Sequence, residues 1–96
     1  MTEAEKIAER YGDDGQRWED DDGVNIVDLL NDVKTSRWDR RDGMDVWELE
    51  DGSLIVTCDG WWDVVTVNGS RWEDSNGEPL ADLYDCGTPK GWGYRA

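Results

Sequence analysis

The 96-residue chain has no histidine and no phenylalanine, only two cysteines and two prolines, and just ten basic residues against twenty-four acids. Each scarcity removes a class of function. Without histidine, the commonest general base and the commonest metal ligand are missing. Cys58 and Cys86 are too few and too far apart for a zinc site, and in a reducing compartment they are expected as free thiols. No apolar run approaches the roughly 20 residues of a membrane span, and no basic-then-apolar leader opens the chain, so a cytoplasmic protein without a membrane partner is expected. There is no glycine-rich phosphate loop and no serine or cysteine nucleophile with a partner. Paired carboxylates such as Glu48/Glu50 and Glu73/Asp74 are common, but a glycosidase sets its pair in a sizeable cleft, for which a chain this short has little room. The expectation is a protein that is not an enzyme and takes no cofactor or metal.

The scarcity of bases leaves a net charge of −14, which opposes compaction through self-repulsion. Direct nucleic-acid binding is disfavoured, because phosphate contacts need a basic face. Residues 42–85 carry twelve acids and one base, Arg71, whereas residues 37–41 (Arg-Trp-Asp-Arg-Arg) form a basic island expected to make internal salt bridges. Seven tryptophans and three tyrosines are what a thin core has to work with. Each can bury roughly 150–250 Å². Length allows a single domain, residues 1–96, around one core.

Two helices are predicted at the N-terminal end. Thr2 and Glu5 form a capping box, Ala4, Ile7, Ala8 and Tyr11 follow at helical spacing, and Gly12 suits the exit, giving a helix over about 2–11. Asn25 is an N-cap for a second, about 25–35, whose Ile26, Leu29, Leu30 and Val33 form one apolar stripe. From Met44 the period changes to two. Asp51-Gly52, Asp59-Gly60 and Asn68-Gly69 favour tight hairpins and divide the segment into strands near 44–50, 53–58, 61–67 and 70–73. The fold class is therefore α+β: two helices on a four-stranded antiparallel meander, followed by a glycine-rich tail.

Two-residue loops at all three turns set a register. Leu49 then faces Leu54, Trp47 faces Val56, Cys58 faces Trp61, and Val65 faces Leu54 and Trp72. One face gathers Trp47, Leu49, Leu54, Val56, Cys58, Trp61, Val65, Val67 and Trp72, and is expected under the helices. Asp63 is its odd member. The other face, with Val46, Ile55, Trp62 and Val64 among its residues, is expected under the tail from Gly87 to Ala96 or against a partner.

Residues 15–32 (GQRWEDDDGVNIVDLLND) and 69–86 (GSRWEDSNGEPLADLYDC) echo one another at eight of eighteen positions. Both read as an acidic loop leading into a helix, the second a short one near 79–84 begun by Pro79. Asp20 to Leu30 also resembles the calcium loop of dockerin modules. One residue is missing after its glycine, however, which misdirects the ligands, so an acidic helix-entry loop is the better reading.

Carboxylates held at phosphate-like density would fit the nucleic-acid groove of another protein, with attraction that weakens as salt rises. Aspartate outnumbers glutamate two to one, and the shorter side chain loses less entropy when fixed. In size, acidity and helix-plus-meander pattern the chain resembles the small phage-encoded inhibitors of host defence, the anti-CRISPR and anti-restriction DNA mimics. That resemblance implies a cytoplasmic inhibitor occupying the nucleic-acid-facing surface of a basic defence complex or nuclease; the partly apolar second sheet face leaves both a monomer and a homodimer open. The contacts are expected from Asp13, Asp14, Glu19, Asp20, Asp21, Asp22, Asp51, Asp59, Glu73 and Asp74, with exposed tryptophans such as Trp62 or Trp18 as anchors. Replacing Asp20–Asp22 by asparagine should then weaken binding and leave melting unchanged or higher. An immunity protein against a nuclease toxin would share these features, and a saline habitat would explain the acidity by solvation alone.

Overall fold

The computed structural model describes residues 1–12, 16–40, 44–69 and 71–80, together with the strand segments 84–85, 88–89 and 92–95. Helix α1 (Glu3–Arg10) starts at the expected capping box, and helix α2 (Ile26–Val33) starts at Asn25, whose side chain accepts from the Val27 amide. Strands follow at β1 (Lys34–Arg40), β2 (Asp45–Leu49), β3 (Leu54–Cys58), β4 (Trp61–Asn68), β5 (Arg71–Glu73), β6 (Tyr84–Asp85), β7 (Thr88–Pro89) and β8 (Trp92–Arg95). Six of them form one sheet in the order β5-β4-β3-β2-β1-β8, every neighbour antiparallel. The α+β class holds, but the sheet is wider than the four strands expected.

The extra strands flank the meander. The expected basic joint at 37–41 is largely β1, and α2 passes into it without a loop. Lys34 is both the helix C-cap and the first strand residue, and its ammonium donates to the Asn31 carbonyl. Alternation is poor in Lys34–Arg40, so the strand rests on its two neighbours, β2 and β8, more than on its own pattern. A bulge at Thr35 separates the pairs Lys34/Leu49 and Ser36/Glu48. Part of the tail forms β8, an edge strand beside β1, rather than a flap over a sheet face. The short helix expected near 79–84 is not formed at its ends: Pro79 bridges to Glu73 and Tyr84 begins β6, while 81–83 lie outside the described residues.

One turn changes the faces. Asp59-Gly60 closes a two-residue loop, with Cys58 opposite Trp61 and Leu54 opposite Val65 as expected. Between β2 and β3, however, the Leu49 amide donates to the Ser53 carbonyl and the Gly52 amide to the Leu49 carbonyl, enclosing three residues, Glu50-Asp51-Gly52. Gly52 takes φ +85°, the left-handed position of a bulged hairpin. Trp47 therefore faces Ile55, not Val56, and Glu48 faces Leu54. A one-residue slip carries a whole strand to the other face. The third hairpin pairs Val67 with Trp72, two residues from the expected match, so its faces are unchanged.

Both faces are consequently buried, by different sets. Under the helices lie Trp47, Leu49, Ile55 and Trp62, packed against Ala4, Ala8, Tyr11, Ile26 and Leu30. Ala4 and Ala8 let α1 approach the sheet closely. Ile26 and Leu30 are fully buried, each worth about 1.5–3 kcal/mol. Leu54, Val56, Val65 and Trp72, expected under the helices, belong instead to a second cluster with Val46 and Leu80 on the other face. Trp38 meets Trp72 edge-to-face there at 5.5 Å. Val67, expected in the core, is exposed. Asp63 needs no bulge, because its carboxylate accepts from the Ser75 amide and hydroxyl.

Candidate protein-binding surface

The acidic loop after α1 is organised by Asp20. Its Oδ1 accepts from the Asp22 and Val24 amides at 2.9 and 2.8 Å, and its Oδ2 accepts from Arg10 Nε at 2.6 Å. The bond from the Val24 amide, with Arg10 and the Asp22 amide, holds its pKa below the usual carboxylate range despite burial. The Tyr11 hydroxyl donates to the Val24 carbonyl at 2.8 Å, and burial pushes the Tyr11 pKa up. Asp20 therefore ties the loop to α1 and is buried, so it is not a presented contact. Removing its charge should lower stability, which corrects the expectation for the Asp20–Asp22 replacement.

The sequence echo is also a structural one. Asp74 accepts from the Asn76 and Glu78 amides at 2.8 and 3.0 Å, as Asp20 does from Asp22 and Val24. The Gly23 and Gly77 amides donate to the Asp20 and Asp74 carbonyls. The Ile26 amide donates to the Trp18 carbonyl at 2.8 Å, and the Leu80 amide to the Trp72 carbonyl at 3.0 Å. Ile26 enters the cluster under the helices and Leu80 the cluster opposite, so one turn design serves both faces of the sheet.

Other expected contacts divide the same way. Asp51 caps α1: its Oδ2 accepts from the Glu3 amide at 2.8 Å, and its Oδ1 from the Ser53 amide. The Ser53 hydroxyl bond and the Glu3 amide lower its pKa. The Ala4 amide reaches Ser53 Oγ, and Thr2 and Glu5 exchange the remaining bonds, so all four N-terminal donors of α1 are satisfied. Glu73 is buried and Asp74 partly so. Trp62, expected as an exposed anchor, is 2% exposed and donates its indole N–H to the Arg17 carbonyl at 2.8 Å. Trp18 is half-buried against the helix-side core. Asp13 and Asp14 lie outside the described residues.

Glu19, Asp21, Asp22 and Asp59 are exposed, and so is Asp51 although it caps α1. Asp21 pairs with Arg17 across an exposed turn, an interaction of little energetic weight. The helices add acids that the loop-based reading missed. Glu5 and Glu9 on α1, and Asp28 and Asp32 on α2, are exposed four residues apart. Their helical spacing was the available signal. Within the basic island, Arg37 pairs with Asp45 at 3.6 Å and lies over the Trp47 ring, as the internal salt-bridge reading anticipated. Cys58 is a free thiol, and Cys86 lies outside the described residues.

Between α1 and α2 runs an open groove of about 380 Å³. Ile7, Leu29 and Val33 line it, with Asp32, Glu50 and Lys6 also at its surface. Among the described residues no helix is long and apolar enough to cross a membrane. No protein-family model matches the chain, and no curated protein or solved structure is significantly similar to it.

Proposed function

We propose that the chain is an acidic protein inhibitor, similar in kind to the anti-CRISPR and DNA-mimic inhibitors, that binds the basic nucleic-acid-binding surface of a prokaryotic defence complex or nuclease. The observation that carries this reading is the exposed aspartate set on α2 and its entry loop. Asp28 and Asp32 stand one turn apart on a helix without a base, and Asp21 and Asp22 precede them on the hydrogen-bonded loop. Like charges four apart destabilise a helix by a few tenths of a kcal/mol. An acid in the last turn, as Asp32 is, also opposes the helix dipole. Asp28, in the first turn, suits the dipole, but folding gains nothing from Asp32, whereas a cationic groove would. The buried Asp20 fixes the loop beforehand, which reduces the ordering cost on binding.

The test is affinity capture from a prokaryotic lysate with elution by rising salt. A basic nucleic-acid enzyme should leave early in the gradient and be displaced by duplex DNA. Substituting Asp21→Asn, Asp22→Asn and Asp32→Asn together should weaken its retention while leaving melting unchanged or higher. Capture that ignores both salt and duplex DNA would count against the mimic. Unfolding on dilution out of molar salt would instead assign the acidity to a saline habitat. A toxin nuclease as the captured species would make the chain an immunity protein.

A further inference from the structure

We infer that the α1–α2 groove receives an aliphatic or aromatic side chain of the basic partner, flanked in that partner by lysine or arginine; this rests on the inhibitor reading and deepens it. Surface charge mainly speeds encounter and fixes register, while tight binding needs a desolvated anchor. Of the two tryptophans expected to supply one, Trp62 is buried in the core and Trp18 is half-buried against it. The groove is the alternative that the fold offers. Ile7, Leu29 and Val33 pack against the helix-side core yet keep part of their surface open. An open site of about 380 Å³ suits a side chain projecting from a protein surface better than an enclosed small molecule.

Charge selects the occupant. Asp32 from α2 and Glu50 from the β2–β3 turn border the apolar floor, and Asp28 stands one turn from Asp32. On the α1 wall, Arg10 is committed to Asp20, and Lys6 offsets Glu3, so no net negative charge is left on that side. The partner's basic residues therefore belong on the α2 side of its anchor. The walls exist before binding, since all four N-terminal donors of α1 are bonded, two of them through Asp51 and Ser53. Met1, 75% exposed, borders an adjoining hollow with Lys6, Glu9 and Arg10 and gives an adaptable apolar contact at the edge.

The probes are two short basic peptides, identical except that leucine in one is serine in the other. Each is titrated at low salt into the isotopically labelled full chain and followed by amide NMR shifts. The leucine peptide should move the signals of Ile7, Leu29 and Val33 and bind about tenfold or more tighter, as expected for burying one leucine. The serine peptide should move only the acidic residues. Leu29→Ser should bring the leucine peptide down to the affinity of the serine peptide; if that variant does not fold, the wild-type titrations decide alone. Equal affinities, or leucine-specific shifts elsewhere, overturn the groove and leave the acidic-surface reading standing. Failure of both peptides to bind overturns the two together.

Discussion

Trp61 and Trp62 are adjacent in β4 and lie on opposite faces, so substituting each in turn reads the register of the sheet directly. Trp62→Phe truncates an indole that is 2% exposed, edge-to-face with Tyr11 and bonded to the Arg17 carbonyl. Losing roughly a fifth of a buried aromatic's 150–250 Å² costs about 1 kcal/mol at about 25 cal/mol per Å². A residual cavity of some 40 Å³ adds about 1 kcal/mol, and the lost hydrogen bond about 0.5–1.5 kcal/mol. The expected cost is thus about 2.5–3.5 kcal/mol, or a fall in melting temperature of roughly 10–28 °C for a domain of this size. Trp61, half-buried on the opposite cluster, should cost less as Trp61→Phe. Urea titration followed by far-UV circular dichroism measures both, and the midpoint should move at constant slope. A Trp62→Phe cost under about 0.5 kcal/mol, below what its hydrogen bond alone is worth, would refute the arrangement. So would a Trp61→Phe cost exceeding it.

Asp20→Asn should lower the melting temperature more than Asp74→Asn, because only Asp20 also binds Arg10. The folded pKa of Asp20 is depressed, so its contribution is present above the unfolded value near 3.8 and is lost as pH falls through the folded one. Melting curves between pH 7 and pH 2 should accordingly converge for wild type and Asp20→Asn at the acidic end; a constant gap would contradict this. Ser53→Ala removes a cap from the Ala4 amide and should cost about 0.5–2 kcal/mol, with faster hydrogen exchange in the first turn of α1. Gly23→Ala and Gly77→Ala, at φ +79° and +83°, should each cost about 1–2 kcal/mol in thermal melts. Clearly unequal costs would argue against a shared turn design.

The element types of the meander were legible because aspartate-glycine and asparagine-glycine dipeptides mark hairpin tips whatever the tertiary context. The faces were not. Asp51-Gly52 fits a two-residue turn and a three-residue bulged turn alike, and the three-residue form is the one in which Asp51 and Ser53 cap α1. Alternation could not arbitrate either, since Ile55, Trp62 and Val64 are as apolar as Leu54, Trp61 and Val65, and both sets are covered. Strand β1 was hidden because its charged residues read as a joint, and pairing on both edges overrides that local preference. In the candidate site, acid-rich loops were visible in the sequence, but which carboxylates fold the chain was not. Asp20 and Asp51 look the same as Asp21 and Asp59 until their hydrogen-bond partners are known.

The tie between the start of α1 and the β2–β3 turn has a consequence for how the chain acquires its shape. An eight-residue helix is too short to persist by itself in water. The groups that finish its first turn lie 48 and 49 residues further on. Helix α1 is therefore among the last elements to settle, unravelled until the second and third strands have closed their loop. A ribosome paused before Asp51 would hold a nascent chain in which α1 is still open to proteases.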